Sequence, residues 1–191
     1  PYKDKTSIWK LREEVVNRLL KVNNYLISKS SFYLLIYDSW RPLEVQEFMF
    51  KRAFLLECEK SNIASSFENI KFHPSISKKV EKFWAYPSYD SRFPPPHSTG
   101  GALDVCLSDK DGNIVEMGST VDQMDETSNP DFYAKVKNEE AIIWNSRRNL
   151  LRRIMIKFGF AQHPNEWWHF SYGDQLWAWK NKKENAIYGK I

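Results

Sequence analysis

The chain has 191 residues, enough for one domain with a real core, and it is 42% hydrophobic and 15% aromatic, too apolar for a disordered segment. Its formal net charge of +4 is spread along the sequence, which excludes a nucleic-acid-binding stripe. No apolar run approaches the roughly 18 residues of a membrane span.

Ile8, Leu11, Val15, Leu19, Val22 and Leu26 recur at three-four spacing behind Thr6 and Ser7, which can cap, and predict an amphipathic helix. Phe32–Asp38 is a short aromatic run of strand character. A second helix is expected from Leu43 to Glu59, with Pro42 at its start. Between Phe72 and Pro96 a short helix is expected after Ser75, with loop from Tyr86 onward. Gly101–Leu107 reads as a strand, "SDKDGN" as a hairpin turn, and Ile114–Met117 as its return strand. Gly118–Asn138 reads as a polar loop and Glu139–Phe158 as a long helix that Gly159 ends. "EWWHFSY" is expected to close the sheet as a strand, before a turn and a short tail. The order predicts a single α+β domain over residues 1–191, a small antiparallel sheet with helices packed against it.

Cys58 falls in the helical pattern and Cys106 in a strand, so both are expected as buried thiols rather than a disulfide framework. That favours a reducing compartment, hence a cytoplasmic expectation; a leader removed ahead of Pro1 would make it periplasmic.

The chemistry gathers around few residues. In "PPPHSTGGALDV" a stiff approach delivers His97, and two glycines let the chain turn back to bring Asp104 to the same point. His169 stands in the last strand, with Glu166 three residues before it. Two imidazoles and one carboxylate around an open position suit a catalytic zinc, and a further carboxylate beside it suits a general base. A lone histidine in an aromatic strand is more often a satisfied core residue, and a lone aspartate after two glycines a turn residue. The residues alone leave both readings open. His73 and His163 each precede a proline and are expected in exposed loops, His163 near enough to Glu166 to support the site. Trp167 and Trp168 are expected to alternate, one towards the core and one towards the cleft or solvent.

"HSTGGALD" fits the pattern H-x-x-G-x-A-x-D of the M15 zinc peptidases, and "EWWHF" fits their E-x-x-H. "YDSWRP", "MGSTVDQMDE" and "NSRRNLLRRIMIKFGF" agree in order and spacing, so the chain resembles the D-alanyl-D-alanine dipeptidase branch from its first helix to Tyr172. The resemblance implies the fold of the DD-peptidases and hedgehog proteins, and one zinc held by His97, Asp104 and His169. It makes Glu166 the base, Arg41 the stabiliser of the oxyanion, and Asp122 the partner of the substrate's ammonium. Asp125 and Glu126 are expected as solvated neighbours, and Arg41 as a surface arginine would instead pair with Asp38 or Glu44. Glu166 has to precede the regular strand, since strand residues three apart face opposite sides.

The implied activity is hydrolysis of a small D,D-dipeptide. The alternatives are a D-alanyl-D-alanine carboxypeptidase on peptidoglycan stems, or a non-catalytic wall-binding module of the same fold. Two departures bear on substrate choice. Pro95 stands where these enzymes often carry a serine that helps bind the substrate carboxylate, and the segment ahead of the first helix is short, which implies a more open pocket.

Overall fold

A computed structural model describes residues 9–191. Four strands form one sheet in the order β1-β2-β4-β3, antiparallel throughout: β1 (Tyr33–Asp38), β2 (Ala102–Ser108), β3 (Ala161–Gln162) and β4 (His169–Ser171). Helices α1 (Glu13–Lys29), α2 (Leu43–Lys60), α3 (Pro74–Val80), α4 (Glu139–Lys157) and α5 (Gln175–Lys180) surround it.

The expected apolar periodicity does the packing. Val15, Leu19, Val22 and Leu26 of α1 are buried with Leu151, Ile154 and Met155 of α4 against Leu103, Val105, Leu107 and Phe170 of the sheet. By the strand period of two, that set faces away from Asp104. A second apolar cluster joins α2 to α3 through Phe50, Phe54, Ile76, Val80 and Trp84. The fold is therefore α+β as expected, and one sheet face is committed to core while Asp104 and its cross-strand partners occupy the other.

Several expected boundaries move, each for a local reason. The caps Thr6 and Ser7, with Ile8, lie outside the described residues, and α1 starts only at Glu13. Arg12 is extended, because its N–H bonds to Gly100 O at 2.9 Å and its Nε to Thr99 O at 2.9 Å, so Leu11 precedes the helix. Ile114–Met117 makes only a single bridge, Ser108 to Ile114, not a strand. The carbonyls that would extend the ladder are taken elsewhere: Glu116 O by Arg147 Nη1 at 2.8 Å and Met117 O by Arg148 Nε at 2.7 Å. In "EWWHFSY" only His169–Ser171 is strand, since Trp167 N–H turns out of the sheet to Ser128 O at 3.0 Å. The expected tail holds α5, capped by the Asp174 side chain, and β3 was too short to leave a pattern.

Candidate metal centre

Asp104 lies at the middle of the sheet, opposite Asp38 on β1 and opposite His169 on β4. Cross-strand partners share a face, so the ladder itself puts Asp104 and His169 side by side. The β1–β2 register slips between Ile36 and Asp38, an irregularity of the kind that re-aims side chains beside a site. His97 arrives differently, on the 3₁₀ turn Pro96–Thr99. Gly100 ends that turn at φ 70, a left-handed conformation, and a Cβ on Gly101 would come within 2.6 Å of Tyr172 O. Both glycines are required, one by its dihedral and one by its neighbour.

His97, Asp104 and His169 are all about 95% buried or more, and their ligand atoms lie within 4.8 Å of one another. His97 Nε2 is 3.2 Å from His169 Nδ1 and 3.4 Å from Asp104 Oδ2, and His169 Nδ1 is 3.1 Å from Asp104 Oδ1. Ligands at zinc bond lengths and tetrahedral angles stand ~3.3 Å apart, so the donor set fits that ion. His97 Nδ1 donates to Ser39 O at 2.6 Å, and since a carbonyl only accepts, its other nitrogen can present a lone pair inward. Four carboxyl groups, those of Asp38, Asp104, Asp122 and Glu166, crowd around the Arg41 guanidinium.

Burial acts to raise the Asp104 carboxyl, but the His97 and His169 rings beside it hold it well below the usual range. The same contact raises His97 against the opposing effect of burial, so a proton would compete with any metal ion for one nitrogen. Glu166 occupies the loop before β4, with Oε2 3.7 Å from His169 Nδ1. Burial first, then the charges of Asp104 and Asp122, push its carboxyl well above the ordinary range. Arg41 is 3% exposed and locked in place: Nε and Nη2 donate to Asp38 at 3.2 and 2.5 Å, and Nη1 to Gln46 at 2.9 Å. The pairing with Asp38 therefore coexists with a place in the cavity wall, 3.8 Å from Asp104. Burial opposes its charge, yet Asp38 and Asp104 together raise its pKa.

The cavity these residues line holds about 40 Å³. That is room for an ion and about two or three waters. The rim is where Asp122 sits, at φ 65, bordering both the cavity and an apolar groove of about 670 Å³ along α2. Asp122 is open to solvent on its outer side. Crowding by protein and then the Asp104 charge still raise its carboxyl above the ordinary range.

His163 corrects an expectation. It is half-buried in the cavity wall, its Nδ1 3.7 Å from Glu166 and its ring 5.5 Å from that of His169. Burial and then His169 push it down to about 3, so it stands neutral. His73 is also half-buried, against Phe54, and lies outside the cavity. Trp168 lines the cavity while Trp167 turns into the interior, and Asp125 and Glu126 are exposed. Sequence reasoning missed Gln46, Trp84 and the Ser39 carbonyl, which carry no pattern of their own; only the fold brings them in.

A profile for the peptidase M15 family, described as D-ala-D-ala dipeptidase, matches residues 5–187. A D-alanyl-D-alanine dipeptidase of Synechocystis is 36% identical over 188 residues, covering 95% of this chain and 76% of that protein. One from Enterococcus faecium is 32% identical, covering 85% and 72%. Among solved structures, a mutant of the vancomycin-resistance D,D-pentapeptidase VanY in complex with Zn(II) superposes with a TM-score of 0.53 at 13% identity, covering 98% and 91% of the two chains, which shows a shared fold. Family profile, identity and fold agree: the chain belongs to the peptidase M15 family of D-Ala-D-Ala dipeptidases.

Proposed function

We propose that this protein hydrolyses D-alanyl-D-alanine, or a closely similar D,D-dipeptide, at one zinc ion held by His97, Asp104 and His169. What carries the reading is the convergence of two imidazole nitrogens and a carboxylate in a buried cavity, with Glu166 against one of them. Family membership supports it, as do the relatives named D-alanyl-D-alanine dipeptidase and a VanY structure solved with D-alanine-D-alanine.

Bound there, zinc supplies a Lewis acid for the scissile carbonyl and its attacking water. Glu166, desolvated and so more basic than a free carboxylate, takes a proton from that water. The water oxygen bonds the carbonyl carbon, the C–N bond breaks, and Glu166 returns the proton to the departing amine. Arg41 presents its charge to the developing oxyanion and, clamped by Asp38 and Gln46, has little to reorganise; such a donor can contribute ~3–4 kcal/mol. Asp122 at the rim receives the substrate's ammonium, which selects free dipeptides over blocked chains.

Protein purified without chelator should carry one zinc per chain and cleave D-Ala-D-Ala faster than a stem pentapeptide ending in the same pair. Faster cleavage of the pentapeptide would make it a carboxypeptidase. Full activity without metal would sink the reading.

A further inference from the structure

Asp174 is a carboxylate with no exposed surface that the proposed reaction does not use. Its Oδ1 accepts from Trp177 N–H at 2.8 Å at the start of α5, and its Oδ2 accepts from the Ser171 hydroxyl at 2.7 Å. Ser171, also with no exposed surface, places its Oγ 3.3 Å from His169 Nε2.

These contacts have a direction. A carboxylate has no hydrogen to give, so the one hydroxyl hydrogen of Ser171 goes to Asp174. The Ser171 oxygen is then left as an acceptor for a hydrogen on His169 Nε2, the arrangement His169 needs when Nδ1 gives its lone pair to an ion; without an ion, Asp104 Oδ1 at 3.1 Å is a competing acceptor for a hydrogen on Nδ1. Nδ1 is the nitrogen that faces His97 Nε2 and Asp104. We infer that Ser171 and Asp174 are positioning residues of the metal centre: the chain Asp174–Ser171–His169 favours the His169 tautomer that can ligate a metal through Nδ1. The inference rests on the metal reading above.

The competing role for Asp174 is that of a helix cap alone, and Asp174→Asn separates the two, because asparagine caps as well as aspartate. To keep the cap its oxygen must face Trp177 N–H, so its amide nitrogen faces Ser171 and donates to it. The Ser171 hydrogen then turns to His169 and draws a lone pair to Nε2, which leaves hydrogen on Nδ1. Competition against a chromophoric chelator should show zinc affinity weaker by roughly 10–100-fold, with the melting temperature of the metal-free protein near wild type. Nitrogen NMR of the zinc-loaded wild type should show the His169 ring hydrogen on Nε2, bonded to Ser171. Ser171→Ala breaks the chain without touching the cap and should weaken zinc by a similar factor. If wild type binds zinc and neither variant alters affinity, or if the zinc-loaded wild type carries no hydrogen on His169 Nε2, the relay is overturned and Asp174 is only a cap. A wild type that takes up no zinc overturns the metal centre, and the relay with it.

Discussion

The two halves of the candidate site are held by different means. On the sheet side, Asp104 and His169 are placed by direct cross-strand pairing, and their backbones serve the ladder and the site together. On the loop side, residues 117–129 carry Asp122 and belong to no strand. That loop is organised from inside by Arg148, which is 1% exposed: Nε donates to Met117 O at 2.7 Å, Nη1 to Thr127 O and Asn129 O at 2.8 and 3.0 Å, and Nη2 to Ser119 Oγ at 3.0 Å. The Tyr133 and Trp167 rings flank it at 4.8 and 5.3 Å, and burial pulls its pKa down to about 10, which leaves it charged at neutral pH. A paired strand positions its side chains as a by-product of folding, whereas an irregular loop needs a guest group to satisfy its carbonyls.

The sharpest break is on the sheet side. His169→Ala should lose both zinc and turnover, as metal analysis beside a D-Ala-D-Ala assay would read. Glu166→Ala should keep the zinc and lower kcat by roughly 10²–10⁴-fold; equal metal loss in the two variants would mean that Glu166 is a ligand and not the base. On the loop side, Arg148→Met strands buried carbonyls at about 1–3 kcal/mol each. The expected result is a lower melting temperature and faster proteolysis within residues 117–129, with zinc retained. Zinc loss in this variant would erase the distinction between the halves.

Asp122→Asn should act more gently, because an exposed carboxylate is screened by water: a loss of about 1 kcal/mol, or roughly fivefold, in kcat/KM for the free dipeptide. The N-acetylated analogue, which wild type should handle poorly, should be unaffected. A similar loss on both would place ammonium recognition elsewhere. The smallest effect is expected at Cys106 in β2, whose thiol burial pushes up to about 11. At pH 8 about one molecule in a thousand would carry the thiolate, so iodoacetamide should leave the native protein unlabelled. Ready labelling would show that the sheet side opens.

What could be read from the sequence divides along the same line. Helix α1 buries one face and so leaves a periodic trace, α2 and α4 are bracketed by Pro42 and Gly159, and strands β1 and β2 stand out as short apolar runs. His97 and Asp104 could be placed together because their spacing is written locally, around two glycines, whereas His169 joined them through the family resemblance. The start of α1 could not, since Arg12 is held extended by a turn some 90 residues away. The return strand at Ile114–Met117 was a fair expectation that Arg147 and Arg148 override by taking its carbonyls. Asp122 stood in a recognisable motif, but its left-handed backbone and its place on the rim come from the loop that Arg148 gathers. The proline after His163 suggested exposure, while the packing of β4 draws the ring inward.

The direct opposition of Asp104 and His169 across β2 and β4 has a consequence outside catalysis. β4 has only three residues, a short run of ladder to hold it. An ion bonded to both strands would act as a rivet between them, so its binding free energy would also be folding free energy. At free zinc a thousandfold above its dissociation constant the gain is ~4.1 kcal/mol, a large share of a typical domain's stability. The amount of this protein that survives in a cell would then follow zinc supply: in scarcity, chains without the rivet would unfold more often and be cleared first.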